Sequence, residues 1–185
     1  MADMPGMAGM SGGGAGAAAA VSTGAVSYLN LTIVTGDMIG HTEFPAYVPS
    51  NPTLPANSTV VVTITNFDDA TALPADMKQY ASVSGTVADT VQVTPIDPAD
   101  PNGSAGPTKA ISTLDPKAVS HTFTVPGLGL NVPIAAQSRV TFVIHTGAAG
   151  TFAWRCFDPC GDGPTGWGTA MAAKSGFMEG TLTVA

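Results

Sequence analysis

The sequence predicts an all-β domain, and three observations predict it. Short segments alternate apolar and polar residues with period two. Turn residues separate those segments, with Gly 22 and Pro 15 among 185 residues. No stretch of ten or more residues carries the 3.6-residue periodicity of an amphipathic helix. Only 10% of residues are charged, against about 25% in ordinary soluble domains, while 44% are hydrophobic. Disordered chains have the opposite balance. Six Lys+Arg against 13 Asp+Glu give a net charge of −7, which excludes binding to nucleic acid by phosphate neutralisation. No run of 18 apolar residues occurs, so no transmembrane segment is expected.

Residues 1–23 read as a flexible tail, too poor in side-chain area to repay ordering. Met1, Met4, Met7 and Met10 recur there every third residue. Thioethers suit Cu(I), so the tail reads either as a plain linker or as a Cu(I)-collecting segment. It has neither the basic start nor the apolar stretch of a signal peptide. The low-charge, Thr/Gly/Pro-rich composition nevertheless fits an extracytoplasmic protein: periplasmic, cell-surface or secreted.

Residues 24–185 read as a single domain. Leu29, Leu31 and Ile33 alternate with Asn30 and Thr32 in a half-buried first strand. Residues 37–55 are broken by prolines around a short edge-like strand at 46–48. Residues 59–66, TVVVTITN, are β-branched almost throughout and form a strong strand. Residues 68–117 then read as a long loop insertion centred on DPADPNGSAGP, with one strand at 90–93. Period two returns at 120–125, where His121, Phe123 and Val125 share a face. It continues at 139–145 and at 151–156, where Phe152, Trp154 and Cys156 share a face, and ends at 180–184. Evenly spaced strands of this kind build a sandwich or a barrel.

The two cysteines, Cys156 and Cys160, stand three residues apart. That spacing admits a disulfide, a metal pair or a redox pair, and no second Cys/His pair completes a zinc site. In an oxidising compartment the disulfide is the expected state. No Ser/His/Asp order and no carboxylate pair points to hydrolysis, so no enzyme is expected.

Four blocks together resemble a cupredoxin: Asn66-Phe67-Asp68; Ser120-His121-Thr122-Phe123-Thr124-Val125; Gly150-Thr151-Phe152-Ala153-Trp154-Arg155-Cys156; and Gly176-Phe177-Met178-Glu179-Gly180. The resemblance covers roughly residues 29–67 and 120–184. It implies a Greek-key β-sandwich that binds copper and transfers electrons. It matches His121 to the first imidazole ligand, Cys156 to the strand-end thiolate and Met178 to the axial thioether. The spacing of Cys156 and Cys160 is similar to the dinuclear copper centre of oxidase subunit II, which makes Cys160 a second thiolate. Rigid strand ends that hold a thiolate and imidazoles let copper change oxidation state with little reorganisation.

The chain departs from that pattern in one place. Residues 161–177 hold no histidine where the family places its second imidazole. The ligand set is then one imidazole short, and His41, in the bend between the first two strands, is a candidate substitute. His145 is expected at the opposite end of the sandwich. Two functions follow. One is an exported copper-binding, electron-transfer protein that meets a redox partner protein or associates with itself. The other is a metal-free module of the cell envelope, structural or interacting, held by a Cys156–Cys160 disulfide. The separation of the two sulfurs distinguishes them.

Overall fold

The structure is a computed structural model that describes residues 26–40, 45–100, 102–160 and 177–185. The expected all-β architecture is what forms: two mixed sheets packed face to face. The first sheet contains β1 (Val26–Val34), β2 (Ala46–Val48), β4 (Thr59–Asn66), β5 (Val91–Pro95), β6 (Lys109–Ile111) and β9 (Ser138–His145), in the order β2-β1-β4-β9-β5-β6. The second contains β3 (Thr53–Leu54), β7 (Val119–Val125), β8 (Leu130–Ala135), β10 (Gly150–Arg155) and β11 (Glu179–Val184), in the order β3-β11-β10-β7-β8.

The alternating residues decide which faces meet. β4 and β9 pair antiparallel from Thr59↔His145 to Asn66↔Ser138. That register puts Val60, Val62, Ile64, Val140, Phe142 and Ile144 on the inner face, all buried. Opposite them lie Phe123, Val125, Val132, Ile134, Trp154 and Leu182. At the centre Trp154 meets Tyr47 edge-on, with centroids 4.7 Å apart, and Phe123 at 5.3 Å. Such tilted aromatic pairs are favoured over face-to-face stacking.

Two readings of the sequence are corrected here. Residues 68–117 are not a bare loop with one strand. They supply β5, which pairs with β9, and β6, which pairs with β5, so the first sheet gains two strands. They also supply a 3-10 turn, Lys78–Ala81, that lies against β8. The Asn131 side chain donates from Nδ2 to the carbonyls of Tyr80 and Ser82, at 3.0 and 2.6 Å. Leu73, Ala81 and Val119 then form a second small core with Met77, Tyr80 and Leu114 packed on it. As a result β7 is buried on both faces, including Ser120, Thr122 and Thr124. Period-two alternation predicts one wet face for that strand, but the insertion covers it.

The second correction is β8, a strand that the sequence reading leaves out. Pro133 lies within it, and proline is confined to edge strands because it donates nothing to a ladder. β8 is indeed the last strand of its sheet, with β7 on one side and, on the other, a bridge from Asn131 to Ser84.

Candidate metal centre

The centre is built at the sheet end where β4 finishes. Asn66 is fully buried. Its Nδ2 donates to Ser120 Oγ at 3.0 Å and to the Ala135 carbonyl at 2.9 Å, while its Oδ1 accepts the Asp68 backbone N–H at 3.1 Å. One amide side chain thereby ties β4 to β7 and fixes the turn that carries Asp68. Asp68 Oδ2 in turn lies 3.1 Å from His121 Nε2. With Nε2 engaged, the other ring nitrogen faces the sulfurs: Nδ1 is 3.3 Å from Cys160 Sγ and 3.9 Å from Cys156 Sγ. A carboxylate on the far nitrogen is the usual way to orient a metal-binding imidazole.

Cys156 leaves β10 beside β7. Its backbone N–H donates to the Met178 carbonyl at 2.9 Å, which brings the start of β11 alongside. Its Sγ accepts the N–H groups of Thr122 and Asp158, each at 3.3 Å. The next residue is held too, since the Phe157 N–H donates to Thr122 Oγ1 at 2.8 Å. Cys160 Sγ lies 3.0 Å from Cys156 Sγ. A disulfide bond is about 2.0 Å, and both cysteines are free. The expected disulfide is therefore not formed. Its place is taken by a thiol–thiolate hydrogen bond, with the Cys156 sulfur supported by two backbone donors.

The ligand atoms of His121, Cys156 and Cys160 all lie within 4.8 Å of one another, and none of the three residues is more than 1% exposed. Met178 is also fully buried and enters the site region through its backbone bond to Cys156. His41 lies outside the described residues, as do the Met-rich tail and residues 161–176. His145 is at the opposite end, as expected: it pairs with Thr59 at the far end of the β4–β9 ladder, and its Nδ1 meets Thr59 Oγ1 at 3.1 Å.

The charges follow from this geometry. Burial alone pulls the His121 pKa down, but hydrogen bonds to Asp68 and Cys156 and their negative charges lift it to about 9. Burial pushes the Cys156 thiol up, yet the hydrogen bonds of Cys160 and His121 and the imidazolium charge bring it well below the usual thiol value. Cys160 goes the other way, raised by burial and by the neighbouring thiolate. Without metal, the cluster is an imidazolium, a thiolate and a thiol.

Asp158 was missed as a site residue, although it stands between the two cysteines. It is fully buried and both of its carboxylate oxygens lack a hydrogen-bond partner among the described residues. Burial and the Cys156 thiolate raise it to about 8, with His121 opposing. Tyr47 closes the inner wall, with its hydroxyl donating to the Thr122 carbonyl at 3.1 Å.

No family model matches the chain, and no curated protein matches it with significance. Among solved structures it is similar to three auracyanins. Auracyanin B shows 14% identity over 86% of this chain and 88% of the other, with a TM-score of 0.39. Reduced auracyanin from Roseiflexus castenholzii shows 15% over 88% and 98%, also at 0.39. Auracyanin A, a "blue" copper protein from Chloroflexus aurantiacus, shows 14% over 87% and 100%, again at 0.39. The reading of the site rests on its own geometry.

The donor set fits copper chemically. One imidazole nitrogen and two sulfurs are soft to borderline donors, and thiolate favours Cu(I). The three donors are buried, His121 within β7, Cys156 just past β10 and Cys160 in the turn that follows, with a carboxylate behind the histidine.

Proposed function

We propose that the protein is an exported copper-binding electron carrier whose ligands are His121, Cys156 and Cys160, with Met178 as the thioether. The observation that carries this reading is the buried cluster of one nitrogen and two sulfurs within 4.8 Å. Copper held there would supply a one-electron couple. The chain's part is to present three donors in fixed positions, keep water away from them and hold the His121 ring through Asp68. A carrier accounts for the site better than an enzyme does, because the three donors are buried. The extracytoplasmic assignment rests on the low-charge composition. In the described residues no helix is long and apolar enough to cross a membrane.

Copper titration of the purified, reduced protein tests the reading. Cu(II) is expected to give an intense visible thiolate-to-metal absorption that disappears in Cys156→Ala. A colourless protein that carries a Cys156–Cys160 disulfide would sink the reading and leave the metal-free envelope module in its place.

A further inference from the structure

Sheets end in strands whose outer N–H and C=O groups have no ladder partner, and such edges invite pairing with another chain. The end strands of both sheets are guarded against this. β2 has three residues and β3 two. β6 also has three and carries Lys109. β8 holds Pro133 and is bridged from Asn131 to Ser84. β1 is different. It is nine residues long, and β2 covers only Thr32, Ile33 and Val34. Pro49 follows β2, and the chain then crosses to the second sheet, where the Ser50 carbonyl accepts the Trp154 indole N–H. Among the described residues no strand pairs with the outer edge of residues 26–31.

The neighbours fix which backbone groups that edge presents. The Ile33 carbonyl accepts the Phe67 N–H on the β4 side, and the Tyr47 N–H points away from β1 to the Phe177 carbonyl. The hydrogen-bonded pairs of β1 and β2 are therefore Thr32↔Val48 and Val34↔Ala46. The two directions alternate along a strand, so Val26, Tyr28 and Asn30 turn their N–H and C=O groups outward. Their side chains share the outer face of the sheet, where Tyr28 is 75% and Val26 53% exposed. Tyr28 stands beside Val61, and Val61 beside Val143, on that same face. No proline or charged residue occurs in β1, although the chain holds 13 Asp+Glu.

We propose that residues 26–30 of β1 pair antiparallel with the same residues of a second copy, joining the two first sheets across a two-fold axis at Tyr28. Only another extended backbone satisfies a row of outward N–H and C=O groups, and this edge is complementary to itself. A two-fold interface uses one patch twice. The axis sets Tyr28 against Tyr28 of the partner subunit and Val26 against Asn30 of the partner subunit. Every such pair joins residues whose backbone groups point outward, so each exchanges two hydrogen bonds. The ladder also ends at Asn30, just short of Thr32, where β2 takes over the edge. A charged peptide would find no counter-charge in β1, whereas an uncharged copy needs none. Val26 pairs with Thr59, at the end of β4 away from Asn66. The two candidate centres therefore sit at opposite ends of the joined sheet. The ladder is short, so the dimer is reversible.

Sedimentation velocity of the full metal-free chain over a dilution series tests this. A reversible rise from one chain mass to two is expected with increasing concentration. Tyr28→Lys and Tyr28→Glu should each stay at one chain mass, because like charges then face each other across the axis. An equal mixture of the two variants should restore the dimer, since the Tyr28-centred register sets Lys against Glu. Position 28 is exposed, and an unchanged urea midpoint shows that each variant is folded. A wild type that stays at one chain mass overturns the proposal, as do single variants that still dimerise. A mixture that stays monomeric overturns the register. Amide hydrogen exchange addresses the other possible occupant. The N–H groups of Val26, Tyr28 and Asn30 should gain protection as concentration rises. Full protection in the dilute monomer would put residues 1–25 of the same chain on this edge and overturn the dimer.

Discussion

Asp158 concentrates the electrostatic tension of the site in a single residue. Burying a carboxylate without partners is costly, and the protein lowers that cost by keeping Asp158 protonated up to about pH 8. The sign follows from proton counting. Between its unfolded value, about 4, and about 8, the unfolded chain has released this proton and the folded chain still holds it. Stability therefore falls as pH rises through that window. Asp158→Asn removes the proton difference. In urea titrations of the metal-free protein, the stability of Asp158→Asn minus that of wild type should grow from pH 4 to pH 8. The limiting slope is about tenfold in the folding equilibrium per pH unit. A flat difference would mean that the carboxylate finds a partner or reaches water. The sequence shows this residue plainly, between two cysteines, but not its burial. Its backbone is held between the two sulfurs, the N–H on Cys156 Sγ at 3.3 Å and the carbonyl 3.0 Å from Cys160 Sγ.

At the scale of elements, most strands were legible because β1, β4, β9, β10 and β11 alternate in period two. The exceptions have physical causes. β8 contains Pro133 and is tolerated because it lies on an edge. β3 is two residues long, too short for any pattern. β7 reads as half-buried, but the insertion buries its second face. The parallel pairing of β3 with β11 is likewise invisible in sequence, yet it explains Gly180. β11 pairs Gly180 with Trp154, and the Trp154 indole donates from Nε1 to the Ser50 carbonyl at 2.7 Å. A methyl group at Gly180 would overlap that carbonyl oxygen and lie only 2.7 Å from Nε1. Trp154 is buried, and its indole holds the Ser50 carbonyl in place. Gly180→Ala should therefore destabilise by at least about 2 kcal/mol in denaturant unfolding, as overpacked sites do. A neutral result would mean that the segment around Ser50 moves freely away from β11.

For the whole molecule, the candidate centre draws on residues that are far apart in the chain: Asp68, His121, the Cys156–Cys160 turn and the strand that follows Met178. The four blocks were legible, but their convergence depends on the Asn66 amide and on the register of two sheets. A site assembled in this way does not exist in the unfolded chain, so metal binding and folding are coupled. Copper at one hundred times its dissociation constant should stabilise the fold by about 2.7 kcal/mol, less any affinity of the unfolded thiols. The coupling should also depend on pH. Before binding, His121 carries a proton up to about pH 9, Cys160 is held as a thiol, and Cys156 is already a thiolate. Binding through the imidazole and both sulfurs displaces the protons on His121 and Cys160. The affinity should then rise by about two powers of ten per pH unit across the neutral range, since two protons leave per ion. Competition with a Cu(I) chelator at several pH values measures that slope. In Cys160→Ser, where one of the two displaced protons is gone, it should fall to about one. A slope near zero in the wild type would show that copper, if it binds, binds elsewhere than at these three residues.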